Sequence, residues 1–138
     1  MTKEHFAEEL VRRFPEYREV YEDHLNAYGE VLGHVFFCEL NPILSSLLRE
    51  NQDRARIRRY IDFLEEMYRE GDGDMRNIVQ VTILEYLGDD ETVLRNAFEY
   101  FSEELMLASQ AVEAGWGRRE IRMYHRHGKA RYECRPPS

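Results

Sequence analysis

Proline, glycine and cysteine are all scarce in this sequence: 4 Pro, 8 Gly and 2 Cys among 138 residues. So little proline and glycine excludes a collagenous or linker-like chain and leaves long stretches free to run as helix. Cys38 and Cys134 lie far apart and form no CxxC pair. A disulfide framework is therefore not indicated, and two reduced, packed thiols are expected. No stretch approaches the ~20 apolar residues that a membrane-crossing helix needs. The opening residues MTKEHFAEEL are charged where a signal peptide would be apolar, so the cytoplasm is the expected compartment and a membrane is not an expected partner. Equally missing are a P-loop, a GxGxxG fingerprint, a GxSxG elbow and an HExxH pair. Those absences point away from nucleotide-dependent and hydrolytic enzymes. The chain is read as a non-enzyme, with no cofactor and no catalytic residues.

What is present suits a folded globule. Apolar residues make up 43% and charged residues 33% of the chain, enough to bury a core of its own in one domain. The net charge of −8 is divided unevenly. Residues 118–138 hold seven Arg or Lys against Glu120 and Glu133, a surplus of +5, which leaves residues 1–117 at −13. The chain therefore reads as an acidic helical domain over 1–117 followed by a basic C-terminal tail over 118–138. An acidic body repels phosphates, which argues against nucleic acid, and it steers basic proteins toward itself.

Apolar spacing predicts an all-α bundle of about five to seven helices. Thr2 caps a first helix carrying Phe6, Leu10 and Val11, with a corner at Phe14 before Pro15. Tyr17, Val20, Tyr21, His24, Leu25 and Tyr28 recur at threes and fours along a second helix that stops at Gly29. Residues 30–40 continue as buried helix, and Asn41-Pro42 restarts the chain with Asn41 as cap. Arg49 to Arg54 reads as a connection, Ile57 to Tyr68 as a long helix, and Gly71-Asp72-Gly73-Asp74 as a loop. The segment 78–87 is apolar on nearly every side, which places it at the centre of the bundle. Asp89 and Asp90 cap a final long helix from Val93 through Ala108 that ends near Gly115. Beyond it Ile121, Met123 and His125, then Ala130, Tyr132 and Cys134, alternate with polar residues as in a β-hairpin, the alternative being a flexible tail.

Two constellations could carry function. His24, Glu30, His34 and Cys38 are plausible zinc-binding types, with the last three at spacings of four. Three ligands so spaced on one helix spread over about 12 Å of axis, so they cannot all reach one ion, and no metal is expected there. The calcium-loop pattern that Asp72 and Asp74 begin also fails at its sixth and twelfth positions. His125, His127 and Cys134 would come together only in a hairpin. The second constellation is acidic. Glu16, Glu19, Glu22, Asp23 and Glu30 flank the tyrosine stripe, a second group is Asp89, Asp90 and Glu91, and a third is Glu99, Glu103 and Glu104. Tyrosines beside carboxylates suit a protein interface, and the plainer reading is a core stripe beside a solvated face.

The segments FPEYREVYEDHLNAYGEVLGHVFFCEL and FLEEMYREGDGDMRNIVQVTILEYLGDD resemble a family of small, uncharacterised, all-helical bacterial proteins over roughly residues 5–105. That resemblance implies a helical fold and carries no established activity. By analogy with other small acidic proteins of this kind, the expected function is a protein-binding module: an immunity protein that inhibits a basic toxin domain through its acidic surface. The alternative is a metal-binding protein or metal-dependent enzyme using His24, Glu30, His34 and Cys38.

Overall fold

The structure, a computed structural model, describes residues 1–116, and the expected hairpin or tail, with His125, His127 and Cys134, lies outside the described residues. All regular structure among the described residues is helical, as the spacing predicts. Helix α1 spans Lys3–Arg13, a 3₁₀ turn covers Pro15–Tyr17, and α2 spans Arg18–Tyr28. Helices α3 (Gly33–Phe37), α4 (Leu40–Glu50) and α5 (Arg54–Glu70) follow. A continuous run then comprises α6 (Gly73–Ile78), a π-helical segment (Val79–Leu84) and α7 (Glu85–Leu87). Helices α8 (Glu91–Ala97) and α9 (Glu103–Trp116) complete the described chain.

The helix starts follow capping chemistry. The Thr2 hydroxyl accepts the His5 N–H, and the Asp53 and Asp72 carboxylates accept the N–H groups of Arg56 and Met75. The Asp90 carboxylate accepts those of both Thr92 and Val93. Gly29 ends α2 at φ 76°, a left-handed conformation that costs a residue with a Cβ about 1–2 kcal/mol.

The π segment lies at the centre, against α3, α5 and α9, while α4 packs on α5, α7 and α8. Met75, Ile78, Val79, Ile83, Leu84 and Leu87 are buried there, as expected for the 78–87 stretch. The run is not enclosed on all sides, because Val81 is 38% exposed. An aromatic wall joins α1 to α5. Phe14 stacks on Tyr60 with ring centres 4.4 Å apart, and Phe63 meets Phe6 and Phe14 edge-on. Arg13 closes the rim of that wall with a two-pronged bond to the Glu66 carboxylate at 2.7 and 2.8 Å.

Four boundaries differ from the sequence-based expectation. Residues 30–40 are not one helix: the chain turns at Gly29 and re-enters helix at Gly33. Asn41 is no cap, because α4 begins at Leu40 and the buried Asn41 amide donates instead to the Thr82 carbonyl at 3.1 Å. The 71–74 loop shrinks to Gly71 and Asp72, because the Asp72 cap starts α6 at Gly73. The expected last long helix is two helices, broken at residues 98–102. Ser102 restarts it: its N–H donates to the Glu65 carboxylate and its hydroxyl accepts the Leu105 N–H.

Candidate partner-binding surface

The expected metal ligands are separated by the fold. Glu30 lies in the turn outside α3, so it shares no helical face with His34 and Cys38. His24 is committed locally: its Nε2 accepts the Leu32 N–H at 2.9 Å, closing the corner between α2 and α3. His34 Nδ1 lies 2.6 Å from the Thr82 hydroxyl, which ties α3 to the π segment. The Cys38 thiol is buried and donates to the Val35 carbonyl. Among the described residues no group of three or more His, Cys, Asp or Glu is placed to hold an ion. Burial pushes both His24 and His34 below the usual imidazole range, the Lys3 charge adds slightly for His34, and Asp74 opposes it.

The tyrosine stripe divides by depth. Tyr17 is buried and, with Tyr60, forms a phenol pair beside the Glu16 carboxylate. Desolvation drives both phenols above their ordinary range. Tyr21 is half-buried with its ring edge on Phe36. Tyr28 is 51% exposed and only leans on His24.

The eleven acidic candidates also divide, by what they touch. Several serve the fold. Glu16 pairs with Arg56 at 3.6 Å, Asp90 with Arg49 at 2.7 Å, Glu91 with Arg95 at 3.6 Å and Glu99 with Arg54 at 3.4 Å. The Arg49 hydrogen bond, foremost, holds the Asp90 carboxyl below its usual range. Asp89 is half-buried in the α7–α8 connection. The others project outward. Glu19, Glu22 and Asp23 on α2, Glu30 just beyond it, and Glu103 and Glu104 at the start of α9 are all exposed. Helix α2 buries only His24 fully and presents the rest of that carboxylate group to solvent, ending at the exposed Tyr28.

Sequence reasoning grouped these acids by proximity in the chain and missed the arginines that remove four of them. Those arginines come from α4 (Arg49), from α5 (Arg54 and Arg56) and from α8 (Arg95). Only the last shows as an i,i+4 spacing in the sequence. The link among His34, Thr82 and Asn41 was likewise invisible, because its members are 41 and 48 positions apart.

The fold and surface together define a small helical domain with a one-sided acidic helix. The chain belongs to the family described as Domain of unknown function (DUF7674), whose model matches residues 7–117. That match ends where the basic tail begins. No curated protein and no solved structure matches the chain.

Proposed function

We propose that this protein is a protein-binding module that captures a basic partner on the outer face of α2, in its sharpest form an immunity protein that inhibits a basic toxin domain. The observation that carries this reading is the division of the acids. Glu19, Glu22, Asp23 and Glu30 are exposed, and no ion pair joins them to the described arginines, whereas Glu16, Asp90, Glu91 and Glu99 are engaged. Four carboxylates on one edge of a body carrying −13 form a field that accelerates encounter with a cationic surface. Tyr28, 51% exposed at the C-terminal end of α2, supplies an apolar anchor of the kind that concentrates binding energy.

The test is to capture the partner, identify it and measure association across a salt series. The variant Glu19→Lys/Glu22→Lys/Asp23→Lys should associate at least ~10-fold more slowly at low salt, with an unchanged melting temperature. Tyr28→Ala should mainly raise the dissociation rate. Relief of the partner's toxicity on co-expression would support the inhibitor reading. Salt-independent association, or a triple variant that binds at the wild-type rate, would refute the acidic-face reading.

A further inference from the structure

Helices α1 and α2 are both 11 residues long, but they are anchored differently. Helix α1 buries the apolar side chains of Phe6, Ala7, Leu10 and Val11. The only fully buried side chain of α2 is His24, with Val20, Tyr21 and Leu25 half-buried beside it. The His24 ring meets those of Tyr28 and Phe36, with centres 4.8 and 5.3 Å away. Its Nε2 accepts the N–H of Leu32, the residue from which α3 starts with no side-chain cap. A titratable group therefore stands where a helix ordinarily has an apolar anchor. Helix α3 is pinned separately. Gly33 lies against Ile78 with no room for a Cβ, and Phe36 and Phe37 are fully buried. The contact between His34 Nδ1 and the Thr82 hydroxyl also survives protonation, because an imidazolium N–H donates to an oxygen from which the bare nitrogen accepts.

We propose that His24 is an acid-release latch: when its imidazole takes up a proton, the C-terminal half of α2 and the 29–32 turn swing free of the body, while α3 and the core stay in place. The chemistry is local. An imidazolium carries N–H on both nitrogens and has no lone pair for the Leu32 N–H. Two donors then face each other, and a charge is left against the Tyr28 and Phe36 rings. No carboxylate among the described residues is placed to compensate it. Glu22 and Asp23 on α2 and Glu30 in the turn are exposed, and Glu16 of the 3₁₀ turn pairs with Arg56. From α1, Glu4 and Glu8 act on Tyr21, while Lys3 of α1 and Asp74 of α6 act on His34. Burial alone lowers the proton affinity of His24. Because the closed form takes up a proton less readily than the open one, the latch is shut above about pH 6.5 and opens as pH falls toward the closed-state value. Gly29, already left-handed at φ 76°, has no Cβ to restrict the swing. Opening takes Asp23, Tyr28 and Glu30 out of their fixed spacing. The latch is a property of the arm itself and stands whether or not the outer face of α2 captures a partner.

Amide hydrogen exchange on the full-length protein, followed by NMR near pH 7.5 and near pH 5 and expressed as protection factors, tests this. The amides of Leu32 and of residues 26–30 should lose about 10-fold in protection at the lower pH, relative to those of α5. That loss should share its midpoint with the titration of the His24 ring. In His24→Gln, whose side-chain oxygen accepts the Leu32 N–H at any pH, protection should stay constant. In His34→Gln the pH response at Leu32 should persist. Protection at Leu32 that is the same at both pH values overturns the proposal. So does a loss that α5 shares equally, a midpoint away from that of His24, or a loss as large in His24→Gln as in the wild type. A response that vanishes in His34→Gln overturns it too, by moving the latch to His34. The midpoint comparison is made on the wild type, so it decides the matter even where a variant does not fold.

Discussion

His24 carries the clearest acid–base consequence of any residue here. Its ring accepts the Leu32 N–H through Nε2, which only a neutral imidazole can do, and burial depresses its proton affinity. Unfolded, the same side chain titrates near 6.5. Because the folded value is the lower one, the contribution is complete above about pH 6.5 and is lost as pH falls toward the folded-state value. His34, depressed by burial too, acts in the same direction. Wild-type protein should therefore melt at a lower temperature near pH 5 than near pH 7.5, and His24→Gln should shrink that difference without abolishing it. An undiminished difference in the variant would show that this hydrogen bond is not the source. At this scale much was legible. Thr2, Asp90 and Gly29 do what their types and neighbours predict, because capping is decided within four residues.

Elements were legible in kind and less so in their ends. The break between α8 and α9 was missed because residues 98–102 contain no Gly or Pro, and the Glu65 carboxylate that holds Ser102 comes from another helix. Ser102 followed by Glu103 and Glu104 was the available signal, a hydroxyl cap before an acidic first turn. The central run shows a subtler effect. Met75, Ile78, Val79 and Thr82 share one α-helical register, which would next bury position 86. Instead Tyr86 is half-buried and Leu87 is fully buried, one place later. The π segment absorbs that extra residue, with the Glu85 N–H reaching back five positions to the Gln80 carbonyl. Two registers joined in this way read, in sequence, as a stretch apolar almost all round. The candidate surface was half legible for a similar reason: carboxylates show in the chain, whereas the remote arginines that neutralise them do not.

For the whole molecule, charge repulsion and ion pairing oppose one another, and their exposure decides which prevails. Pairs such as Arg54–Glu99 and Arg95–Glu91 have both partners about half exposed or more, and such pairs stabilise by well under about 1 kcal/mol. The pairs of Arg13 with Glu9 and Glu66 are better shielded. Against them stands a body at −13, whose self-repulsion favours the unfolded chain. Raising salt from ~10 to ~150 mM screens the repulsion more than it weakens the few strong pairs, so the melting temperature should rise. A fall over that range would show that ion pairing dominates.

The π segment also makes chain length itself a tolerant variable at the centre of the protein. An α-helix rotates about 100° per residue, so losing one residue from an ordinary core helix swings everything beyond it out of place. Here the surplus residue is already present, and deleting half-exposed Gln80 would convert the bulged turn to plain α-helix while Met75 and Leu87 keep facing inward. Such a deletion should cost less than Leu84→Ala, which empties a fully buried site at about 2–5 kcal/mol. Denaturant titration of the two variants compares them directly, and the reverse order would mean that the wide turn is needed for its own sake. A one-residue deletion between positions 79 and 84 is thus the change of length that this core is expected to accept.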